Sequence, residues 1–380
     1  MKQAVTIFYV IITIAVISLT LWQNYLSHNH RSTFKSCPCS KMSLCQPLQL
    51  GHRKEVIGFT VDHGIWPKYD WSKLTTLVLF QKTIDLKLVC HAHSKNVRVV
   101  LVADYPVKNL TNQHQRSDYV KGNVAKAKKY YLDGINIDIE QPILKNSAES
   151  KGLIALVKEM TDSFHSQIPG SQVSIDVAWS PKCIDKRCYD YASIAKVSDF
   201  MVVMSYDERS QVYGSCVASA NSPFNQTFTG VQQYLDLGIT ADKLVLGQPW
   251  YGYDYICLNV TADNICQIKK VPFRGAPCSD AAGLQHGYSK IQMLLSHNAT
   301  TDRIWNGTLR APFFNYKSAK DHKIHQIWYD DPESLKLKYE TAKHTFKMRG
   351  LAFWTVDSLD YGNSPSAKNQ TKEMWNAITV

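Results

Sequence analysis

No internal repeat, heptad run or low-complexity tract runs through the 380-residue chain, so solenoids and coiled coils are excluded. Charged residues are sparse, at 20% against 44% hydrophobic, the balance of an ordinary globular protein. No Gly-x-Gly-x-x-Gly follows the first apolar run, which speaks against an open doubly wound sheet that binds a dinucleotide. No Cys or His pair follows Cys37-x-Cys39 at zinc-finger spacing, and no cluster of His or extra acids supplies metal ligands. Neither a metal nor another cofactor is expected. The formal net charge is +11, but Lys and Arg are spread among acids, as on a solvated surface. No nucleic-acid partner is expected.

The N-terminus departs from the globular pattern. Residues 4–22 form an apolar run without a charge. A cleaved leader and an uncleaved anchor both fit, because the run approaches the ~20 residues needed to span a bilayer. No small-x-small cleavage site is convincing. Cleavage is the expectation, with no stable membrane association afterwards. Residues 1–36 are read as leader or anchor plus linker, and 37–380 as one catalytic domain. Both leader readings put the rest of the chain in a lumen. Six N-x-S/T sequons agree, at Asn109, Asn225, Asn259, Asn298, Asn306 and Asn369. Ten cysteines in an oxidising compartment imply disulfides, but their spacing leaves the pairing open.

Short apolar, β-branched runs punctuate the remainder at 56–60, 77–80, 97–102, 134–140, 173–178, 200–206, 244–247 and 351–354. Segments 118–131, 150–167 and 332–348 read as helices between them. Strands alternating with helices give parallel β/α units, and eight is the count that closes a (β/α)8 barrel. The interval of about 250–329 is too long for one such unit. It reads as an insertion between strands 7 and 8, above the barrel and near the site, with strands of its own.

The sharpest segment is 132–140, Leu-Asp-Gly-Ile-Asn-Ile-Asp-Ile-Glu. Its period of two sends Ile135, Ile137 and Ile139 to one face and Asn136, Asp138 and Glu140 to the other. On spacing alone this also describes a half-exposed edge strand. Its place as fourth of eight argues for cover on both faces. Glu140 falls at the C-terminal end, where barrel active sites are built. Burying two carboxylates side by side costs several kcal/mol and raises the pKa of one of them. A general acid working below neutrality needs such a shift.

Residues 133–140 resemble the D-G-x-D-x-D-x-E signature of glycoside hydrolase family 18, the chitinase family, with Asn136 in place of one acid. Met204-Ser205-Tyr206-Asp207 resembles the family's M-x-Y-D. Segment 247–252 resembles its G-x-P-x-Y-G, and Trp354 stands where the family ends its eighth strand on tryptophan. Stretches 133–141, 170–181, 204–211 and 249–283 are similar to members that act in lysosomes on the chitobiose core of N-glycans.

The resemblance implies a lysosomal glycosidase hydrolysing GlcNAc-β-1,4-GlcNAc from the reducing end of N-glycan oligosaccharides, as a monomer. Family 18 uses no carboxylate nucleophile. Glu140 is the implied acid. Asp138 and Tyr206 are implied to hold the substrate's own 2-acetamido group as it attacks C1. Asn136 is implied to relay a hydrogen bond toward Asp138, with Asp133 in support. Trp354, Asp207, Met204, Tyr251, Trp179 and Arg274 are the implied sugar contacts. An inactive lectin on the same barrel is the competing reading, although such proteins lack the terminal glutamate. An endo-acting chitinase is another.

Overall fold

The computed structural model describes residues 37–62, 64–80 and 83–379. The leader reading of 1–36 lies outside them. Two compact units divide the chain after Cys45. In the first, a short turn at Met42–Cys45 is closed by the Cys37–Cys45 disulfide.

The second unit is the barrel. Its parallel strands are β1 (Glu55–Thr60), β2 (Thr76–Leu79), β3 (Arg98–Ala103), β4 (Gly134–Ile137), β5 (Gln172–Ala178), β6 (Phe200–Met204), β7 (Leu244–Pro249) and, last in the chain, β15 (Gly350–Trp354). They close in the order β1-β15-β7-β6-β5-β4-β3-β2. All eight expected strands are present. The helices that wrap them are α1 (Leu86–Ser94), α2 (Gln113–Tyr130), α3 (Ala148–Gln167), α4 (Tyr191–Val197) and α5 (Phe224–Asp236). Side-chain caps set several starts. Asn112 accepts from Gln115 N before α2, and Ser147 accepts from Ser150 N before α3. The Asn112 cap explains why α2 begins five residues ahead of the expected 118.

The insertion after β7 carries β8 (Tyr251–Ile256), β9 (Asn259–Val260), β10 (Cys266–Gln267), β11 (Gly283–Gly287), α6 (Tyr288–Asn298), β12 (Ile304–Asn306), β13 (Ala311–Lys317) and β14 (Ile324–Trp328). Five of these form an antiparallel sheet in the order β11-β8-β14-β13-β12, and β9 pairs β10. Disulfides Cys257–Cys266 and Cys216–Cys278 tie its loops, and Cys183–Cys188 closes a loop after β5. No described cysteine is free. Helix α7 (Pro332–Glu340) starts on a capping box of Asp331 with Ser334, and a π turn over Thr341–Thr345 ends the expected 332–348 helix early. Helix α8 (Pro365–Asn376) closes the chain.

The alternation in 132–140 is resolved as the barrel predicts. Ile135, Ile137 and Ile139 are buried in the layer between strands and helices, where each contributes about 1.5–3 kcal/mol. Inside the barrel an apolar plug is built from Ile57, Phe59, Val78, Val100, Phe200, Val202, Val245 and Ala352. Strands β4 and β5 add nothing apolar to it. They point Asn136, Ser174 and Asp176 inward instead, all buried. The glycine of the motif is needed for this packing. Gly134 has φ 152°, and a Cβ there would lie 1.9 Å from Gln172 O on β5.

Candidate active site

Strand β4 ends at Ile137, three residues short of the expected Glu140. Asp138 N still donates to Ala103 O at 2.9 Å, so the chain leaves the sheet with Asp138 half-buried and Glu140 out in the open mouth. Glu140, Trp179, Met204, Tyr206, Asp207 and Arg274 line one cleft of about 310 Å3 there, with Asp185, Arg187, Ser210, Phe273, Asp280 and Ala281. The sequence thus brought six of the expected residues to one cavity.

Beneath the cleft lies a stack of acids. Asn136 Nδ2 donates to Asp176 Oδ1 at 2.9 Å and to Ser174 Oγ at 3.1 Å. Its donors are turned to β5, so the expected relay from Asn136 runs to Asp176 and not to Asp138. Burial first, then the charge of Glu140, pushes the Asp138 carboxyl up to about 7. Burial first, then Asp138, pushes Asp176 well above the ordinary carboxylate range. Burial is the larger cause in both, and the neighbouring carboxylate adds to it. Burial also holds the Tyr206 hydroxyl well above its usual range, so it remains a donor.

Asp207 is fixed by three contacts. Tyr251 and Tyr253 donate to its Oδ1 at 2.5 and 2.9 Å, and its own N–H donates to Asn221 Oδ1 at 2.7 Å. Tyr251 is 6% exposed. Its hydroxyl holds Asp207, and it is not among the residues that line the cleft. Trp354 stands at the end of β15, half-buried, packed on Phe59 and Phe80 at centroid distances of 5.7 and 4.7 Å.

Asp133 does not join the cluster. It sits before β4 at the other end of the barrel, where its carboxylate accepts from Leu48 N and Val99 N at 2.7 Å and pairs with His93 at 2.9 Å. Its service is to satisfy buried backbone donors. Of the sequons, Asn225, Asn259, Asn298 and Asn369 are exposed, and Asn109 and Asn306 half-buried.

Four charged or titratable site residues escaped the sequence reading: Asp176, Asp185, Arg187 and Asp280. Asp176 had a signal, since Ser174-Ile175-Asp176-Val177 repeats the β4 alternation one strand later. Arg187 and Asp280 stand in loops with no period. Arg187 Nη1 donates to Glu140 Oε2 at 2.8 Å. Asp280 is pushed up to about 8, by burial first and then by Asp207 and Asp185.

An acid at the exit of the fourth strand of a closed (β/α)8 barrel, over a buried second carboxyl and beside a buried tyrosine hydroxyl, defines a class of glycoside hydrolase. The family model of glycosyl hydrolases family 18 matches residues 72–358, and the chain belongs to that family. It is 49% identical over 348 residues to di-N-acetylchitobiase of Rattus norvegicus, covering 92% of this chain and 94% of that one. It is 48% identical over 342 residues to di-N-acetylchitobiase of Homo sapiens, covering 90% and 88%. A solved Group IV chitinase of Ostrinia furnacalis shares the fold, with a TM-score of 0.67 at 18% identity over 86% of this chain and 98% of that chain. The protein is thus a family 18 glycoside hydrolase closely related to the di-N-acetylchitobiases.

Proposed function

We propose that the enzyme splits the GlcNAc-β-1,4-GlcNAc core of N-linked oligosaccharides and releases one GlcNAc from a free reducing end. The observation that carries this reading is the vertical arrangement of Glu140, Asp138, Asn136 and Asp176 at one barrel mouth, under a cleft partly walled by the insertion. Glu140 protonates the glycosidic oxygen. The substrate's acetamide oxygen attacks C1, and Asp138 takes the acetamide N–H while Tyr206 donates to its oxygen. The tethered nucleophile supplies a proximity advantage of up to roughly 7–11 kcal/mol in well-oriented cases. Glu140 then takes a proton from water, and the anomeric configuration is retained.

The buried carboxyls support the scheme. Burial first, then Glu140, raises Asp138 to about 7, and burial first, then Asp138, raises Asp176. Both shifts favour the protonated form in the resting site, and an acetamide N–H arriving at Asp138 favours its charged form. Catalysis in an acidic lysosomal lumen, after removal of a leader ahead of Cys37, agrees with the sequons and disulfides. Residues 37–380 act as one catalytic domain, as a monomer. Among the described residues no helix is long and apolar enough to cross a membrane.

The test is digestion of a defined N-glycan with a free reducing end, weighing the products. Loss of a single GlcNAc is expected. Internal cleavage of chitin oligomers, with no such loss, overturns the reading.

A further inference from the structure

Arg187 touches Glu140, the group read as the proton donor. It is 6% exposed and stands just inside the loop closed by Cys183–Cys188. Its guanidinium forks, with Nη1 donating to Glu140 Oε2 at 2.8 Å and Nη2 to Asp185 Oδ2 at 3.1 Å. Asp185 is itself held on three sides. Its Oδ1 accepts from Ser210 Oγ at 2.9 Å, its N–H donates to Gln211 Oε1 at 2.8 Å, and its carbonyl accepts from Arg274 Nη1 at 2.6 Å. A chain of direct contacts therefore runs from the insertion to the acid, through Arg274, Asp185 and Arg187.

We propose that Arg187 is a positioning residue for protonation of the leaving group, and that Arg274 extends this control to the insertion. The inference rests on the reading of Glu140 as the acid. The Glu140 side chain is 53% exposed, so without a partner it is free to sample rotamers. A misplacement of about 1 Å costs on the order of 100-fold in rate. In the bond-breaking step the Glu140 proton passes to the glycosidic oxygen. The C1–O bond breaks with its electron pair going to that oxygen, and the acetamide oxygen bonds to C1. Negative charge develops on Glu140 as the proton leaves, and Arg187 Nη1 is already placed to meet it. A planar fork is needed to bridge two carboxylates, and lysine offers only a point charge.

The test separates proton transfer from the rest of the chemistry by changing the leaving group. A sugar alkoxide needs a proton to depart, and 2,4-dinitrophenolate does not. kcat/KM, which reports the first bond-breaking step, is measured on N,N′-diacetylchitobiose and on 2,4-dinitrophenyl N-acetylglucosaminide. Glu140→Gln serves as the reference for a lost acid. For Arg187→Met the expected loss is about 100-fold or more on the disaccharide, in the range of general acid catalysis, and below about fivefold on the dinitrophenyl glycoside. Arg187→Lys recovers part of the loss, and Arg274→Gln shows the same pattern more weakly. If Arg187→Met fails to fold, these two variants carry the measurement. Equal losses on both substrates, or none on the disaccharide, overturn the proposal. If Glu140→Gln itself loses both activities equally, the assignment of the acid fails instead. A wild-type enzyme that ignores the disaccharide overturns the proposed substrate.

Discussion

Asn136 and Asp176 meet across the β4–β5 pairing, with the amide Nδ2 2.9 Å from the carboxyl Oδ1. The bond ties the Asp176 carboxyl to β4. Asp176 is buried, and burial first, then the charge of Asp138, pushes its carboxyl upward, which favours the neutral form. An amide of the same shape carries the same charge there. Asp176→Asn is therefore expected to shift Tm at pH 6 by less than about 3 °C, whereas Asp176→Ala strands the Asn136 donor at a cost of about 1–3 kcal/mol. Thermal scans of the two variants check this. A large loss in Asp176→Asn would mean that the group is ionised in the folded state.

Glu140→Gln keeps the shape of the side chain but has no proton to give. Turnover of chitobiose is expected to fall to below a few per cent, with the affinity for the sugar largely intact by calorimetry. Asp138→Asn is expected to lose about 100- to 1000-fold, the range seen when one stabilising partner of a developing charge is removed. Wild-type rates in Asp138→Asn would refute the substrate-assisted scheme.

The barrel was legible in the sequence because each strand is a short apolar run, most of them β-branched, and because both faces of a parallel strand are buried. Strand β4 was read from its period of two, and the three isoleucines lie where the period put them. What escaped was what the tertiary fold decides. Asp133 belongs to the same motif as Glu140, but the strand runs the length of the barrel between them, so one caps the bottom and the other serves the mouth. Arg187 comes from a loop tied by backbone hydrogen bonds to Ile143, and Asp280 from one tied to Arg209 and by Cys216–Cys278, partners that lie many residues away. That the Tyr251 hydroxyl donates to Asp207 was likewise not legible, because the two lie on different strands' exits.

The raised carboxyls predict how stability depends on pH. Burial raises Asp138 to about 7 and Glu208 and Asp280 to about 8. A carboxyl with a raised native pKa binds its proton more tightly when folded than when unfolded, near 4. Its stabilising contribution is therefore present at low pH and is lost as pH rises from about 4 to its native value. His165, raised by its hydrogen bond to Asp199, acts in the same direction. Tm is expected to be higher at pH 5 than at pH 8 by about 5 °C, and Glu208→Gln is expected to flatten the slope. A Tm that rises over this interval would contradict the burial of these groups.

Substrate polarity follows from the walls of the cleft. Phe273, Arg274, Asp280 and Ala281 of the insertion line it beside Glu140. The insertion is braced there, since Cys216–Cys278 ties it to the loop after β6 and Arg274 donates to the Asp185 carbonyl. If a wall held in this way closes the side of the departing sugar, one GlcNAc is expected to fit beyond the cleavage point and a glycosylated asparagine with its peptide is not. The non-reducing side is then expected to stay open for the mannose branches. The free oligosaccharide is therefore expected to be cleaved at least about 100-fold faster than its asparagine-linked form, a difference of about 2.7 kcal/mol in transition-state binding. Side-by-side kcat/KM values with product masses measure it. Shortening the 273–281 loop should erode the ratio by admitting the linked form. Equal rates in the wild-type enzyme would reject the closed end and leave the role of Glu140 untouched.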